Sequence, residues 1–296
     1  MHIRKLRKAL TASAVSVMTA GAVAPMTNVF ADSEQYLVLG ADLTDTEKQT
    51  VLNNFGISDI NSVNVSYVTH AEEKEKLQND LPASVIGSRA LSSVLMTKEE
   101  SGSGITVETQ NITYCTKEMY QNALITAGAK DLKMSVTAPM KISGTAALVA
   151  ATKSYQIMTG KKLDSNAVNV ANSELAVTQQ AGQQVGKKKA ADLVAALKQK
   201  VAAMGDDYTR NDGKNALTEL EKEMGVTMDS DTENKVLDLM DKMKTVNLDE
   251  DTVKEQAKDV YNSIKGYAEK FENTGVLSEA AQKVKSFIQS IIDFFK

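Results

Sequence analysis

Nucleophilic catalysis of the serine or cysteine type needs an imidazole, and the sequence offers few. The chain contains two histidines, His2 and His70, and one cysteine, Cys115. Both kinds of nucleophile need a base that receives their proton, so His70 would have to serve in any such site of the mature chain. His70 precedes Glu72 and Glu73 at a predicted helix start, where a capping or solvated histidine is expected. Cys115 ends an apolar strand pattern and is expected to be a buried small hydrophobic residue.

Metal sites are poorly supported by the residue types. Structural zinc takes three or four Cys, His or carboxylate ligands, and one cysteine with two histidines supplies few of them. The segment 208–219 places Gly213 and Glu219 at the sixth and twelfth positions of an EF-hand-like loop. Tyr208 and Arg210 occupy its first and third positions, where acidic ligands belong. The sequence therefore predicts neither a metal nor a cofactor.

Two segments of small residues could hold a ligand. Gly102-Ser103-Gly104 precedes a predicted strand, whereas a phosphate-binding loop follows a strand and opens a helix. Ser143-Gly144-Thr145 has that placement but lacks the glycine repeat and the lysine. Backbone N–H groups at a helix start can hold an anion, and a Ser or Thr cap satisfies them equally well. We expect capping at this turn, with ligand binding as an additional role.

Carboxylates are the one plentiful kind of reactive group, with 38 Asp and Glu residues in the chain. A glycan-cleaving enzyme uses two of them on either side of a cleft. That pair is defined by its separation in space and not by sequence spacing, so the sequence leaves this alternative open.

Two parts of the chain with different patterns must position these residues. Up to Gly160 short runs of alternating apolar and polar residues interleave with helical patterns. Beyond Gly160 the chain contains no proline, and its apolar residues have heptad-like spacing. We predict an α+β fold: a mixed α/β domain with a small sheet over residues 32–160, followed by a helical domain over residues 161–296.

The first part begins with a predicted strand at residues 36–39. Thr44 and Glu47 have the spacing of a capping box, and the helix that they start should end at Gly56. In the strand over residues 62–69, we expect Val63, Val65 and Tyr67 to face inward. The charged run 72–76 is predicted to be the exposed face of a second helix.

A glycine-containing loop separates predicted strands at residues 91–98 and 105–113, which indicates a β-hairpin. A helix over residues 116–127 and a strand over residues 132–136 follow. Because Pro139 favours extended geometry at Ala138, we expect this strand to end there, before a turn and a helix that runs to Gly160. The predicted buried side of that helix carries Leu148, Ala151, Tyr155 and Met158.

The second part shows apolar stripes that predict a small helical bundle or a series of helical hairpins. The stripes comprise Val194, Leu197, Val201 and Met204; Val253, Ala257, Val260, Ile264, Tyr267 and Phe271; and Ala281, Val284, Ile288, Ile291 and Phe295. A second capping box is predicted over residues 230–233. The apolar segment 287–295, with Phe287, Ile288, Ile291 and Phe295, is expected to pack as the last helix, with weak membrane-surface contact as the alternative.

The N-terminus has the pattern of a secretory signal peptide. Arg4, Lys5, Arg7 and Lys8 precede an uncharged stretch from residue 9 to Ala31, and we expect cleavage after Ala31. The stretch is too weakly apolar for a membrane anchor. Removing four of the 34 basic side chains and none of the 38 acidic ones leaves 30 − 38, a net charge of −8. We therefore expect a secreted protein that binds no nucleic acid.

Five blocks of this sequence resemble a known family: GADLT at 40–44, IGSRALSSV at 86–94, GSGITVETQNITY at 102–114, MYQNALITAGAKD at 119–131 and VTAPMKISGTAAL at 136–148. Over about residues 36–200 the chain resembles the YpuA-like secreted proteins of Gram-positive bacteria, a domain of unknown function. The resemblance implies export, with no assigned catalytic residues and no agreed activity. Cys115 stands where the family tends to be apolar, which argues further against a catalytic cysteine.

The resemblance directs attention to small and polar residues that serve tight backbone geometry or polymer recognition. The candidate ligand-binding residues are Gly102, Ser103, Gly104, Asn111, Ser143, Gly144 and Thr145. We expect a secreted or envelope-associated, non-enzymatic protein that binds a cell-wall polymer or an envelope protein. The alternative is a carboxylate-dependent hydrolase that cleaves wall glycans.

Overall fold

A computed structural model describes residues 35–272 of the 296-residue chain, without the side chains of residues 268 and 270–272. The predicted signal peptide, its cleavage point after Ala31, the side chain of Phe271, the last apolar stripe and the segment 287–295 lie outside the described residues. Those predictions remain predictions.

Within residues 35–272 the chain forms five strands, namely β1 (Gln35–Gly40), β2 (Asn64–Val68), β3 (Ser93–Lys98), β4 (Ile105–Ile112) and β5 (Leu132–Ile142). The helices of the first half are α1 (Asp45–Phe55), α2 (His70–Leu77), α3 (Ala83–Ile86), α4 (Lys117–Thr126) and α5 (Thr145–Thr159). The second half consists of α6 (Ser165–Val185), α7 (Lys187–Met204), α8 (Arg210–Met224), α9 (Ser230–Met243) and α10 (Glu250–Glu272). The predicted α+β class, with a small sheet followed by helices, is confirmed.

The strands make one mixed sheet in the order β2-β1-β3-β5-β4. β1 and β2 are parallel, as are β4 and β5, and each parallel pair is joined through a helix, α1 or α4. Parallel neighbours need such a crossover connection. The central strand β3 runs antiparallel to β1 and β5.

Side chains of β1 alternate between two apolar clusters, one on each face of the sheet. Leu37 and Leu39 pack with Val51 and Leu52 of α1 in a small cluster. Val38 belongs to the main core, which lies on the other face and includes residues of α4 and α5.

The predicted hairpin of β3 and β4 is wrong, because β5 lies between these two strands. The connecting loop crosses the start of β5, a step of two strand spacings or about 10 Å. Asp131, the residue before β5, holds the loop: its Oδ1 accepts from Gly102 N at 2.9 Å and from Gly104 N at 3.3 Å. The glycines therefore shape a crossover loop, since both adopt positive φ angles.

The strand predicted to end at Ala138 continues through Pro139 to Ile142. Pairing of β5 with β4 jumps from Thr137, opposite Gln110, to Ile142, opposite Ile112. Pro139 lies in this irregular stretch, so its missing N–H interrupts no regular ladder.

Two burial predictions near β2 are wrong. Val63 is buried as predicted, but Tyr67 is 45% exposed. β2 is an edge strand, and it is the next residue, Val68, whose side chain enters the main core. Glu73 of the supposedly exposed run 72–76 is only 1% exposed.

Helix ends follow local chemistry at most positions. The Thr44–Glu47 capping box and the helix end at Gly56 are confirmed. At α9 the predicted box is wrong: Asp229, one residue before Ser230, is the N-cap and accepts from Thr232 N. Asp and Ser are equally good N-caps, so sequence preference alone does not select between them.

The two halves of the described chain share one hydrophobic core, which extends from Val38 in β1 to Ile264 in α10. The predicted stripe of α7 is buried at Val194, Leu197 and Val201. Gly160 ends α5 with a positive φ. A domain boundary at this glycine stays a prediction.

A buried ion pair of the second half is hydrogen-bonded to helix α4 of the first half. Lys198 of α7 and Glu174 of α6 are both fully buried, with 3.1 Å between Nζ and Oε1. The ammonium also donates to Asn122 O at 2.9 Å and Thr126 Oγ1 at 3.3 Å, both in α4. Thr126 in turn donates to the second oxygen of Glu174 at 2.6 Å. All three ammonium donors are thus used.

Breaking this pair should destabilise the whole protein. We expect Lys198→Met to lower the free energy of unfolding by about 3–5 kcal/mol, since it leaves the Glu174 carboxylate buried without its counter-charge. The double variant Lys198→Met/Glu174→Met should recover most of that loss. Urea denaturation followed by circular dichroism measures both, and a single variant as stable as the parent would contradict this role.

Candidate functional site

A cleft of about 320 Å³ opens at the end of the sheet where β5 turns into α5. We call it the Glu73 cleft. Its walls are α2, α3, the segment between α3 and β3, and the β5–α5 turn. It is lined by Glu73, Ser84, Val85, Ile86, Gly87, Ser88, Arg89, Leu91, Ser92, Ile142, Ser143, Gly144, Thr145 and Ala146.

The β5–α5 turn is held by contacts that only glycine permits at position 144. Gly144 has a φ of 93°, and a Cβ there would lie 2.5 Å from both Ile112 Cγ2 and Tyr120 Oη. The buried Tyr120 hydroxyl donates to Gly144 O at 2.6 Å. Contacts with Tyr120 of α4 and with Ile112 at the end of β4 therefore hold the turn in place.

The predicted Ser or Thr cap at this turn is wrong. Gly144 is the N-cap of α5 and no local side chain caps the helix. The hydroxyl of Ser92, which lies 55 residues earlier, accepts from Ala147 N at 2.9 Å. Since Ser92 supplies the cap, the hydroxyls of Ser143 and Thr145 are available for other contacts.

Thr145 and Ser143 form a short chain of hydrogen bonds that ends on Glu73. Thr145 donates to Glu73 Oε1 at 2.7 Å. Because its proton is committed there, the 3.2 Å contact between the two hydroxyls has Ser143 as the donor. Ser143 also lines the cleft.

Glu73 itself is 1% exposed, and its Oε2 has no hydrogen-bond partner among the described residues. The ring of His70, one turn earlier on α2, places Nδ1 3.5 Å away, an electrostatic contact without hydrogen-bond geometry. Burial raises the pKa of the Glu73 carboxyl above its ordinary value, and the Thr145 and His70 contacts oppose that rise. A buried carboxyl with one unpartnered oxygen can accept from a ligand N–H or O–H when ionised, or donate when protonated.

The two other chemically interesting side chains of the sequence have different environments. His70 is not the cap of α2, because Thr69 fills that position in a capping box with Glu72. Cys115 is buried, and burial raises the pKa of its thiol to about 12. The thiolate is therefore not formed at neutral pH, as expected for a small core residue.

Only part of the predicted ligand-binding set reaches the Glu73 cleft, namely Ser143, Gly144 and Thr145. The Gly102–Gly104 loop, which includes Ser103, lies at the opposite end of β5: Leu132 N, at the strand's start, donates to Gly104 O. An 11-residue strand separates the two loops by roughly 30 Å. Asn111 lies near the cleft end of β4, but its Nδ2 donates to Ala138 O at 2.9 Å and it does not line the cleft.

Sequence analysis missed Glu73 and Ser92. Glu73 stands in a run of charges, but Leu77 four residues later is fully buried, and residues at this spacing share a helix face. That spacing was the available signal. Nothing local identifies Ser92 as the cap of a helix 55 residues away.

Metal ligation is not supported by the described geometry. In the part of the chain that the structure describes, no three His, Cys, Asp or Glu side chains are grouped so that they could hold a metal ion. The EF-hand-like segment 208–219 forms most of α8 rather than a ligand loop.

Comparison with known proteins gives a family without a known activity. A family model described as "Protein of unknown function (DUF1002)" matches residues 39–260. The "Uncharacterized protein YpuA" of Bacillus subtilis (strain 168) is 37% identical over 259 residues, which cover 88% of this chain and 85% of that protein. No solved structure matches the chain significantly.

Removing the Thr145 hydroxyl should raise the pKa of Glu73 further, because a hydrogen bond to the ionised form is lost. A carboxyl whose folded pKa is raised contributes stability at low pH that is lost as pH rises through that pKa. Thr145→Val should therefore cost about 1–3 kcal/mol of stability at pH 8 and less at pH 5. Glu ¹³Cδ NMR titration and urea denaturation measure these effects.

Thr145→Ser is the matched control, since it keeps the hydroxyl and should keep the pKa of Glu73. An unchanged Glu73 pKa in Thr145→Val would contradict the hydrogen-bond assignment.

Proposed function

The chain belongs to the DUF1002 family of proteins of unknown function, and we propose that it is an exported, envelope-associated protein that binds a cell-wall polymer in the Glu73 cleft without cleaving it. The observation that carries this proposal is the buried Oε2 of Glu73, which has no hydrogen-bond partner among the described residues and only the 3.5 Å contact with His70 Nδ1, in a cleft lined by four serines.

The cleft suits a ligand rich in hydrogen-bond donors. A buried carboxyl oxygen without a partner is costly, and a hydroxyl or amide N–H from a polymer would satisfy it. The serine hydroxyls of the lining can both donate and accept, whereas Val85, Ile86, Leu91 and Ile142 offer apolar contact. Sugar rings with amide substituents present this mixture of groups.

The lining also contains Arg89, but that guanidinium is already engaged. It donates to Glu47 Oε2 at 2.6 Å and to Asp42 O at 2.7 Å. Because the charge of Arg89 is already paired with Glu47, we expect the cleft to bind neutral polar groups better than a strongly anionic ligand.

Export is supported by the sequence pattern before Ala31. Among the described helices, none is long and apolar enough to cross a membrane. N-terminal sequencing of the protein from culture medium or from the wall fraction tests export. We expect a chain that starts at Asp32, and a protein that keeps Met1 inside the cell would contradict it.

The glycan-cleaving alternative has one observation in its favour, the raised pKa of Glu73, which suits a general acid. Glycosidases of the usual kind need a second carboxylate about 5–10 Å away. Of the described residues that line the cleft, Glu73 alone carries a carboxylate. Asp42 contributes to the raised pKa of Glu73, but it is not among the residues that line the cleft. Binding is therefore the better-supported function.

Pull-down of the purified mature protein with wall sacculi tests the proposal. In Glu73→Gln, Thr145 still donates to the amide oxygen, so an NH₂ group replaces the accepting Oε2. Loss of one bond to a carboxylate, about 1.5–3 kcal/mol, should weaken retention about tenfold or more. Glu75→Gln is the matched control, because it makes the same change at an exposed position of α2.

Retention no better than that of an unrelated acidic protein would count against wall binding. Equal retention of both variants would exclude the Glu73 cleft as the site. Release of soluble wall fragments that depends on Glu73 would instead favour the hydrolase.

A further inference from the structure

A second cavity, of about 430 Å³, lies at the other end of the sheet between the start of β4 and helices α4, α7 and α10. We call it the Gln256 pocket. It shares no residue with the Glu73 cleft. Its volume is in the range of small-molecule sites.

The floor of the Gln256 pocket is a chain of amides with a fixed orientation. Asn122 Nδ2 donates to Ala191 O at 3.0 Å, so Asn122 Oδ1 must be the acceptor on its other side. Gln256 Nε2 donates to that oxygen. The orientation leaves Gln256 Oε1 as the end of the chain, and it has no hydrogen-bond partner in the described structure although Gln256 is only 5% exposed.

The floor is rigid because it rests on the buried ion pair. Lys198 donates to the backbone oxygen of Asn122. The amide nitrogen of Gln256 is therefore held by a residue that the core fixes in place.

The charged side chains that line the pocket carry a net charge of −1. Glu118, Asp192 and Asp259 line it, against the two cations Lys117 and Lys188. Lys188 is engaged, since its Nζ lies 2.9 Å from Asp192 Oδ2 and donates to Ser263 Oγ at 2.9 Å. The Tyr267 hydroxyl donates to the same Asp192 oxygen at 2.7 Å. Glu118 and Asp259 are the other two carboxylates of the lining.

We propose that the Gln256 pocket binds the primary ammonium group of a small organic cation, with Gln256 Oε1 as its buried acceptor and Glu118 and Asp259 as its counter-charges. An ammonium brings three N–H donors to a surface of acceptors. A metal ion fits less well, since within residues 35–272 no three acidic, His or Cys side chains form a metal-binding group.

Binding of n-pentylamine to the folded mature protein, followed by NMR chemical shifts, tests this proposal. We expect millimolar binding that shifts the side-chain amide signals of Gln256 and Asn122. 1-Pentanol lacks the charge, and N,N,N-trimethylpentylammonium keeps the charge but has no N–H. Both should bind at least about threefold more weakly, a difference near 0.6 kcal/mol.

Two substitutions address the two parts of the site. Gln256→Met removes the buried acceptor at similar volume, and Asp259→Asn removes a counter-charge at an exposed position that folding tolerates. Each should weaken pentylamine binding at least about threefold. Asp251→Asn, an exposed change on the same helix outside the pocket, and Glu73→Gln should leave it unchanged.

If Gln256→Met does not fold, pentylamine binding by Asp259→Asn tests the proposal alone. Equal binding of pentylamine and pentanol, shifts confined to other surfaces, or an Asp259→Asn variant that binds as the parent does would overturn the proposal. Because Glu73 is outside this pocket, the result is independent of wall binding by the Glu73 cleft.

Discussion

The fully buried pair of Lys198 and Glu174 is the interaction on which the rest of the described structure depends. Burying two charges is unfavourable unless every donor and acceptor is satisfied, and here α4 supplies the missing partners through Asn122 O and Thr126 Oγ1. The ion pair comes from the helical half and its partners come from the sheet half. Separating the helical half from α4 would remove these two partners from the ion pair.

The same helix α4 connects this pair to both candidate sites. Its Tyr120 holds the β5–α5 turn beneath the Glu73 cleft, and its Asn122 orients Gln256 at the other end of the sheet. Each site contains one buried oxygen without a hydrogen-bond partner in the described structure: a carboxyl oxygen of Glu73, which lies 3.5 Å from His70 Nδ1, and the amide oxygen of Gln256. A surface loop could not keep such an oxygen in place, whereas a core-anchored side chain can.

Local sequence signals predicted local structure well and long-range pairing poorly. The capping box of α1, the end of α5 at Gly160 and the buried stripe of α7 follow from spacing within a few residues. The order of strands does not, because β5 lies between β3 and β4 although it follows both in the chain. The sequence predicted part of the Glu73 cleft, because the residue types of Ser143, Gly144 and Thr145 indicated a ligand-binding turn. Glu73 was hidden in a charged run, and Ser92 acts on a helix 55 residues away.

A residue-resolved NMR map of the mature protein with soluble wall fragments tests whether the polymer binds in the Glu73 cleft. We expect the shifts to concentrate on residues 83–92 and 142–146, together with a changed ¹³Cδ signal of Glu73. Shifts confined to other surfaces, with the Glu73 signal unmoved while the fragments bind, would contradict it.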